Sequence, residues 1–157
     1  VFSGERKSEM DFRELKARHL RRVYVGVETG CDPLLAFLNK PATSAQALDL
    51  VARLKSAGLS LGLIVLIGPG GDQFAEAHVE ETAALLRKMP LGTEDVIYLS
   101  PLHTSPDSAY AHRAQEARIR ALTALEIEEQ TKRMRASLTS QQPGPRMAKY
   151  DIREFVY

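Results

Sequence analysis

A single cysteine, Cys31, stands among 157 residues. One thiol excludes an intrachain disulfide and any metal cage built from several cysteines of this chain. Long apolar runs are scarce too: the longest, Leu59 to Ile67, is interrupted by Ser60 and Gly62 and falls well short of the roughly 20 residues a membrane-spanning helix needs. Val1 to Lys7 hold no apolar core of the kind a secretory leader carries. The expectation is a soluble chain, cytoplasmic by default and without a membrane partner. An excess of charge is also missing. Twenty-one Lys plus Arg against twenty Asp plus Glu leave a net charge of +1, which provides no global field for nucleic acid or an anionic surface. Any binding has to come from local sites.

What is present is 44% hydrophobic residues, enough for one core, in segments whose period switches between helix and strand. Ser8 and Asp11 form a capping-box variant ahead of a helix to about His19, with Met10, Phe12, Leu15 and Leu20 at helical spacing. Val23 to Val27 is β-rich and ends in Glu28-Thr29-Gly30. Asp32-Pro33 reads as an N-cap and first-turn proline for a short helix stopped by Pro41. Ser44 then caps a helix closed by Gly58. Leu61 to Ile67 is a second strand, apolar on both faces as in helix-covered parallel sheets, and runs into Gly68-Pro69-Gly70-Gly71-Asp72. A helix from about Phe74 to Met89 precedes a third strand, Val96 to Leu99, and a long helical pattern extends from about Ala111 to Leu138. Gln141 to Tyr157, with Pro143, Gly144 and Pro145, reads as an irregular or extended arm.

This β-α-β-α-β-α order predicts an α/β fold with parallel strands and right-handed crossovers. Three strands cannot close a barrel, so the expectation is an open sheet or a fragment of something larger. Ligands of such folds sit at the carboxyl ends of the strands. Here those ends read Glu28-Thr29-Gly30, Gly68 to Asp72 and Ser100-Pro101-Leu102-His103.

At these residues the sequence resembles the radical S-adenosylmethionine (SAM) enzymes. RRVYVGVETG (Arg21 to Gly30), followed by DPLLAFLNKP (Asp32 to Pro41), is similar to the GxES…LxK segment of that family, and GLIVLIGPGGD (Gly62 to Asp72) to its next strand and glycine turn. The resemblance spans roughly residues 8 to 110 and reaches towards the Lys149 to Tyr157 tail. It implies the second half of a six-stranded partial (β/α) barrel over residues 1–110, with a helix and arm over 111–157 packed on the same domain. It also implies SAM as cofactor. Glu28, with Thr29 beside it, would hold polar groups of SAM, and Lys40 the methionine carboxylate. Ile64, Leu66 and Gly68 would face the adenine, with Ser100 and Leu102 completing that wall.

The family reduces SAM with a [4Fe–4S] cluster held by a CxxxCxxC loop, and this chain has no such loop. The start at Val1-Phe2-Ser3-Gly4 reads as the end of a strand cut at a boundary, so the expected partner is the cluster-bearing first half of the barrel. The intact parent would generate a 5′-deoxyadenosyl radical; this chain alone would be inactive. The rival is a non-catalytic module that dimerises through its open barrel edge.

Plainer readings stand beside these. Glu28 could cap a turn or pair with a cation. The glycine turn could be an anion nest or a simple βα connection, and no Lys-Ser or Lys-Thr follows it. Cys31 could be a nucleophile or a half-buried incidental thiol. His19, His78, His103 and His112 lack metal-ligand spacing, and His78 is expected on a helix surface.

Overall fold

The computed structural model describes residues 6–139 and 143–150. Helix α1 (Glu9–Ala17) starts at the expected capping box: Ser8 Oγ accepts the Asp11 N–H at 3.2 Å, and the Asp11 carboxylate accepts the Ser8 N–H at 2.7 Å. The chain continues through β1 (Arg22–Glu28), α2 (Asp32–Phe37), α3 (Ser44–Ser56), β2 (Ser60–Ile67), α4 (Gly71–Lys88) and β3 (Val96–Pro101). It ends with α5 (Ala109–Glu116), α6 (Ala124–Leu138) and β4 (Arg146–Lys149).

The sheet has the order β1-β2-β3-β4, and every neighbouring pair is parallel. Each crossover adds its strand on the same side of the last, so right-handed connections place the helices that pack on the sheet, α3, α4 and α6, on one face together with α1. The core records this. Val25, Leu63, Val65 and Leu99 from the strands pack with Phe12 of α1, Val51 and Leu54 of α3, Leu86 of α4 and Met134 of α6. A singly wound layer of this kind is the architecture of a barrel segment, not of a sheet sandwiched between two helix layers. At the amino ends of the strands, the buried Asp95 fixes the register. Its carboxylate accepts the Leu61 N–H at 2.7 Å and the Gly92 N–H at 2.8 Å, and pairs with Lys55 at 2.7 Å.

Several local expectations are corrected. Cys31 is the N-cap of α2, with Asp32 and Pro33 in its first turn. The Asp32 carboxylate instead accepts the Ser44 N–H at 2.7 Å, which ties the start of α3 to that of α2. Thr43, not Ser44, caps α3, through a box with Gln46. The long helix over 111–138 is two helices. Arg118 turns left-handed at φ 55°, and the Asp72 N–H donates to the Arg120 carbonyl at 3.0 Å, which docks the connection on the start of α4 before Thr123 and Glu126 form a new capping box. The arm contains a fourth strand: β4 pairs with β3 from Arg146 to Lys149. Residues 141–142 and 151–157 of the expected arm, and the strand end expected at Val1 to Gly4, lie outside the described residues. Finally, β2 is covered by helices on one face only. Leu61, Leu63, Val65 and Ile67 are buried beneath them, whereas Ile64 and Leu66 lie half-buried on the face without helices.

Candidate ligand cleft at the strand ends

Strand β1 ends in an irregularity. Gly26 pairs with Ile64 and Glu28 with Val65, so Val27 is an extra residue in the ladder, and Glu28 takes a left-handed φ of 63°. Such a backbone costs of order 1–3 kcal/mol in a non-glycine residue and persists only where its surroundings hold it. Here the Glu28 side chain folds back over Gly26, where a Cβ would come within 2.7 Å of Oε1. A side chain at position 26 would push the carboxylate out of this place. Lys40 arrives from the far end of α2, where Asn39 turns left-handed and the Lys40 N–H closes on the Leu35 carbonyl at 2.9 Å. Its Nζ lies 2.8 Å from Glu28 Oε1. The pair borders a cleft of about 150 Å³ that also takes in Leu35, Thr43 and Ala47.

Beside Gly26 on the helix-free face lie Ile64, in register with Gly26 and Tyr98, and Leu66, in register with Ser100. Ile64, Leu66 and Ser100 thus share one face, and the Glu28 carboxylate, with Lys40 on it, reaches the edge of that face over Gly26. Leu102 lies half-buried just beyond, its N–H donating to the Ile67 carbonyl at 2.8 Å.

Thr29 and Gly68 turn the other way. Thr29 is fully buried, and its hydroxyl accepts the Cys31 N–H at 3.1 Å and lies 2.9 Å from His78 Nδ1. His78 Nε2 is 2.9 Å from the Leu66 carbonyl. A carbonyl can only accept, so Nε2 carries the proton and Nδ1 accepts from Thr29. Burial lowers the His78 pKa to about 4 against the raising effect of the Leu66 carbonyl bond, so the ring is neutral at pH 7. The expectation of a surface histidine is therefore wrong: His78 ties the end of β1 to the end of β2 from beneath. Thr82, one turn on, accepts the Gly30 N–H at 2.8 Å. Their spacing was a readable signal, since His78 and Thr82 share the i, i+4, i+8 stripe that continues to the buried Leu86.

The glycine turn is fully engaged. The Gly68 N–H donates to Gln130 Oε1 at 2.8 Å and Ile127 of α6 fills the space where a Cβ would stand. The Gly70 N–H donates to the Tyr110 hydroxyl at 2.9 Å, and the Gly71 N–H to the Gly68 carbonyl at 3.4 Å. No amide remains to cradle a phosphate, and Gly68 offers no free backbone N–H to an adenine. Gln130 and Tyr110, which make these bonds, carried no local signal, because both reach the turn from helices far along the chain.

Cys31 is 2% exposed, and burial, with Glu81 nearby, pushes its thiol up from the ordinary range. A nucleophile or thiolate ligand needs the opposite shift. Among the described residues no three His, Cys, Asp or Glu side chains converge as a metal site, and no helix is long and apolar enough to cross a membrane.

No protein-family model matches this sequence, and no curated protein matches it. Its structure, however, is similar to the archaeal Methanocaldococcus infernus Elp3 with N-terminus deletion (1-46), at a TM-score of 0.65 and 13% identity. The likeness covers 92% of this chain and 33% of that one. The chain therefore spans about a third of that protein's length. At this identity the likeness shows the fold: a parallel α/β sheet with its helices on one face, as in a partial barrel.

Proposed function

We propose that the chain forms the SAM-facing second half of a radical SAM-type partial barrel, whose first half brings the cluster. The observation that carries this reading is the Glu28–Lys40 pair, held by a strained backbone at the carboxyl end of β1 over Gly26, whose neighbour in the ladder is the half-exposed Ile64. A carboxylate and an ammonium 2.8 Å apart are complementary to a zwitterion, which exchanges one internal ion pair for two external ones. In this reading Lys40 holds the SAM carboxylate, Glu28 accepts from its ammonium or hydroxyl groups, and Ile64 and Leu66 supply an apolar floor for the base. Thr29 and Gly68 act from behind, Thr29 through His78 and Gly68 through Gln130. SAM bound to a reduced cluster supplies radical chemistry. The residues of this chain do not fit such a cluster, because its one thiol is buried and disfavours the thiolate.

SAM titrated into isotopically labelled chain should shift the Ile64 and Leu66 methyl resonances at millimolar ligand, and Lys40→Ala should abolish the shift. Silence of both methyls at saturating SAM overturns the assignment. The second reading, a non-catalytic module that dimerises through its sheet edge, is favoured by two features. β1 has no strand neighbour on its outer side among the described residues, and Tyr24 on the helix-free face is 54% exposed. A dimer by sedimentation that ignores SAM selects it.

A further inference from the structure

At the opposite end of the sheet, where the strands begin, the last turn of α1, the starts of β1 and β2 and the loop before β3 border an open cavity of about 650 Å³. That is within the range of pockets that hold nucleotide-sized ligands. Lys16, His19, Arg21 and Arg22 line it, against one carboxylate, Glu94.

Several cations elsewhere on this chain are matched, although others on its surface, such as Arg118 and Lys149, are not. Lys40, Lys55, Arg120, Lys132 and Arg133 each pair with a carboxylate. Among the described residues Lys16, Arg21 and Arg22 have no such partner. Arg22 is anchored through Nη2 alone, on the backbone carbonyl of Glu94 at 2.8 Å, and its Nε–H is buried without an acceptor. Nearly every buried side-chain donor finds an acceptor, so a guanidinium held by one bond, with another donor idle, has capacity that its own chain leaves unused. Lys16 lies flush against Gly58, whose φ of 75° suits glycine and whose missing side chain leaves room for the ammonium at the cavity wall. Ser60 adds a hydroxyl on the facing strand.

We propose that this cavity is a binding site for a small phosphorylated ligand, with Arg22 and Lys16 as the principal contacts to the phosphate oxygens and Arg21 at the rim. A planar guanidinium already fixed on one edge presents its remaining N–H groups to tetrahedral oxyanions, and the ammonium supplies a second point of charge. The site is independent of the strand-end cleft and of what that cleft binds.

The test is calorimetric titration of inorganic phosphate and of pyrophosphate into the chain at low salt. Pyrophosphate should bind more tightly than phosphate, and Lys16→Gln and Arg22→Gln should each weaken it about tenfold or more. Lys132→Gln, which removes a cation from the far helix surface, should leave binding unchanged. Arg22→Lys keeps the charge and serves if the glutamine variant folds poorly; it should bind at an intermediate level. Absence of pyrophosphate binding, or an equal loss in Lys132→Gln, overturns the proposal. So does affinity for single-stranded RNA that grows with its length and exceeds that for pyrophosphate, because the cations would then belong to an extended nucleic-acid surface.

Discussion

The two faces of the sheet differ more than the residues that compose them. On the outer face Leu61, Leu63, Val65 and Ile67 of β2 are at most 1% exposed beneath four helices. On the inner face of the same strand the Ile64 and Leu66 side chains are only half-buried. Gly62 is buried only because Tyr24 and Tyr98, with ring centroids 6.0 Å apart, lean across it. One face is a finished core and carries stability. The other is an apolar surface flanked by polar groups, which is where recognition can operate. Apolar character in a strand thus says that burial is intended, but not by what.

The largest test of this contrast is a pair of neighbouring truncations. Leu63→Ala should cost about 2–5 kcal/mol in chemical denaturation, and Ile64→Ala no more than about 1.5 kcal/mol, since a half-exposed side chain leaves no closed cavity. Equal losses would show that the inner face is covered as completely as the outer.

Acid provides the next. His78 has a folded pKa of about 4, below the value near 6.5 of an unfolded chain, so the unfolded state binds the extra proton between these limits. Stability from the neutral ring is complete above about pH 6.5 and is lost as pH falls towards 4, by about 3 kcal/mol. His78→Gln should flatten that dependence in urea melts between pH 7 and 4. An unchanged slope would mean that another group titrates there.

A smaller effect belongs to the inner face. A Cβ at Gly62 would lie 2.5 Å from the Tyr24 ring and 3.2 Å from that of Tyr98. Gly62→Ala should therefore cost about 1 kcal/mol, and the cost should largely vanish in a Tyr24→Ala background. Additive losses would place the strain in the strand itself.

The smallest concerns the cleft. Lys40 is 42% exposed, so Lys40→Ala should change stability by less than about 1 kcal/mol. A loss well above that would make the pair a structural brace for the Glu28 backbone and remove the main support for a ligand role.

Much of the fold was legible because its signals are local. The capping box at Ser8, the left-handed Gly58 and the three apolar strands each depend on a few adjacent residues. The break between α5 and α6 was also written locally, in Thr123 and Glu126, but helical spacing on both sides masked it. At the cleft, the nearness of Glu28 and Lys40 followed from one strand end and one short helix. The turn of Thr29 towards the helices did not, because it depends on His78, forty-nine residues away.

The sequence by itself determined the α/β class, the helix caps and the strand ends, since hydrophobic period and backbone preference act over a few residues. Only the tertiary structure decided that Arg146–Lys149 joins the sheet, that α1, α3, α4 and α6 share one face, and that the glycine turn's amides are engaged by Gln130 and Tyr110. Those outcomes depend on which distant donors and apolar surfaces meet when the chain closes, and no short window of residues contains both partners.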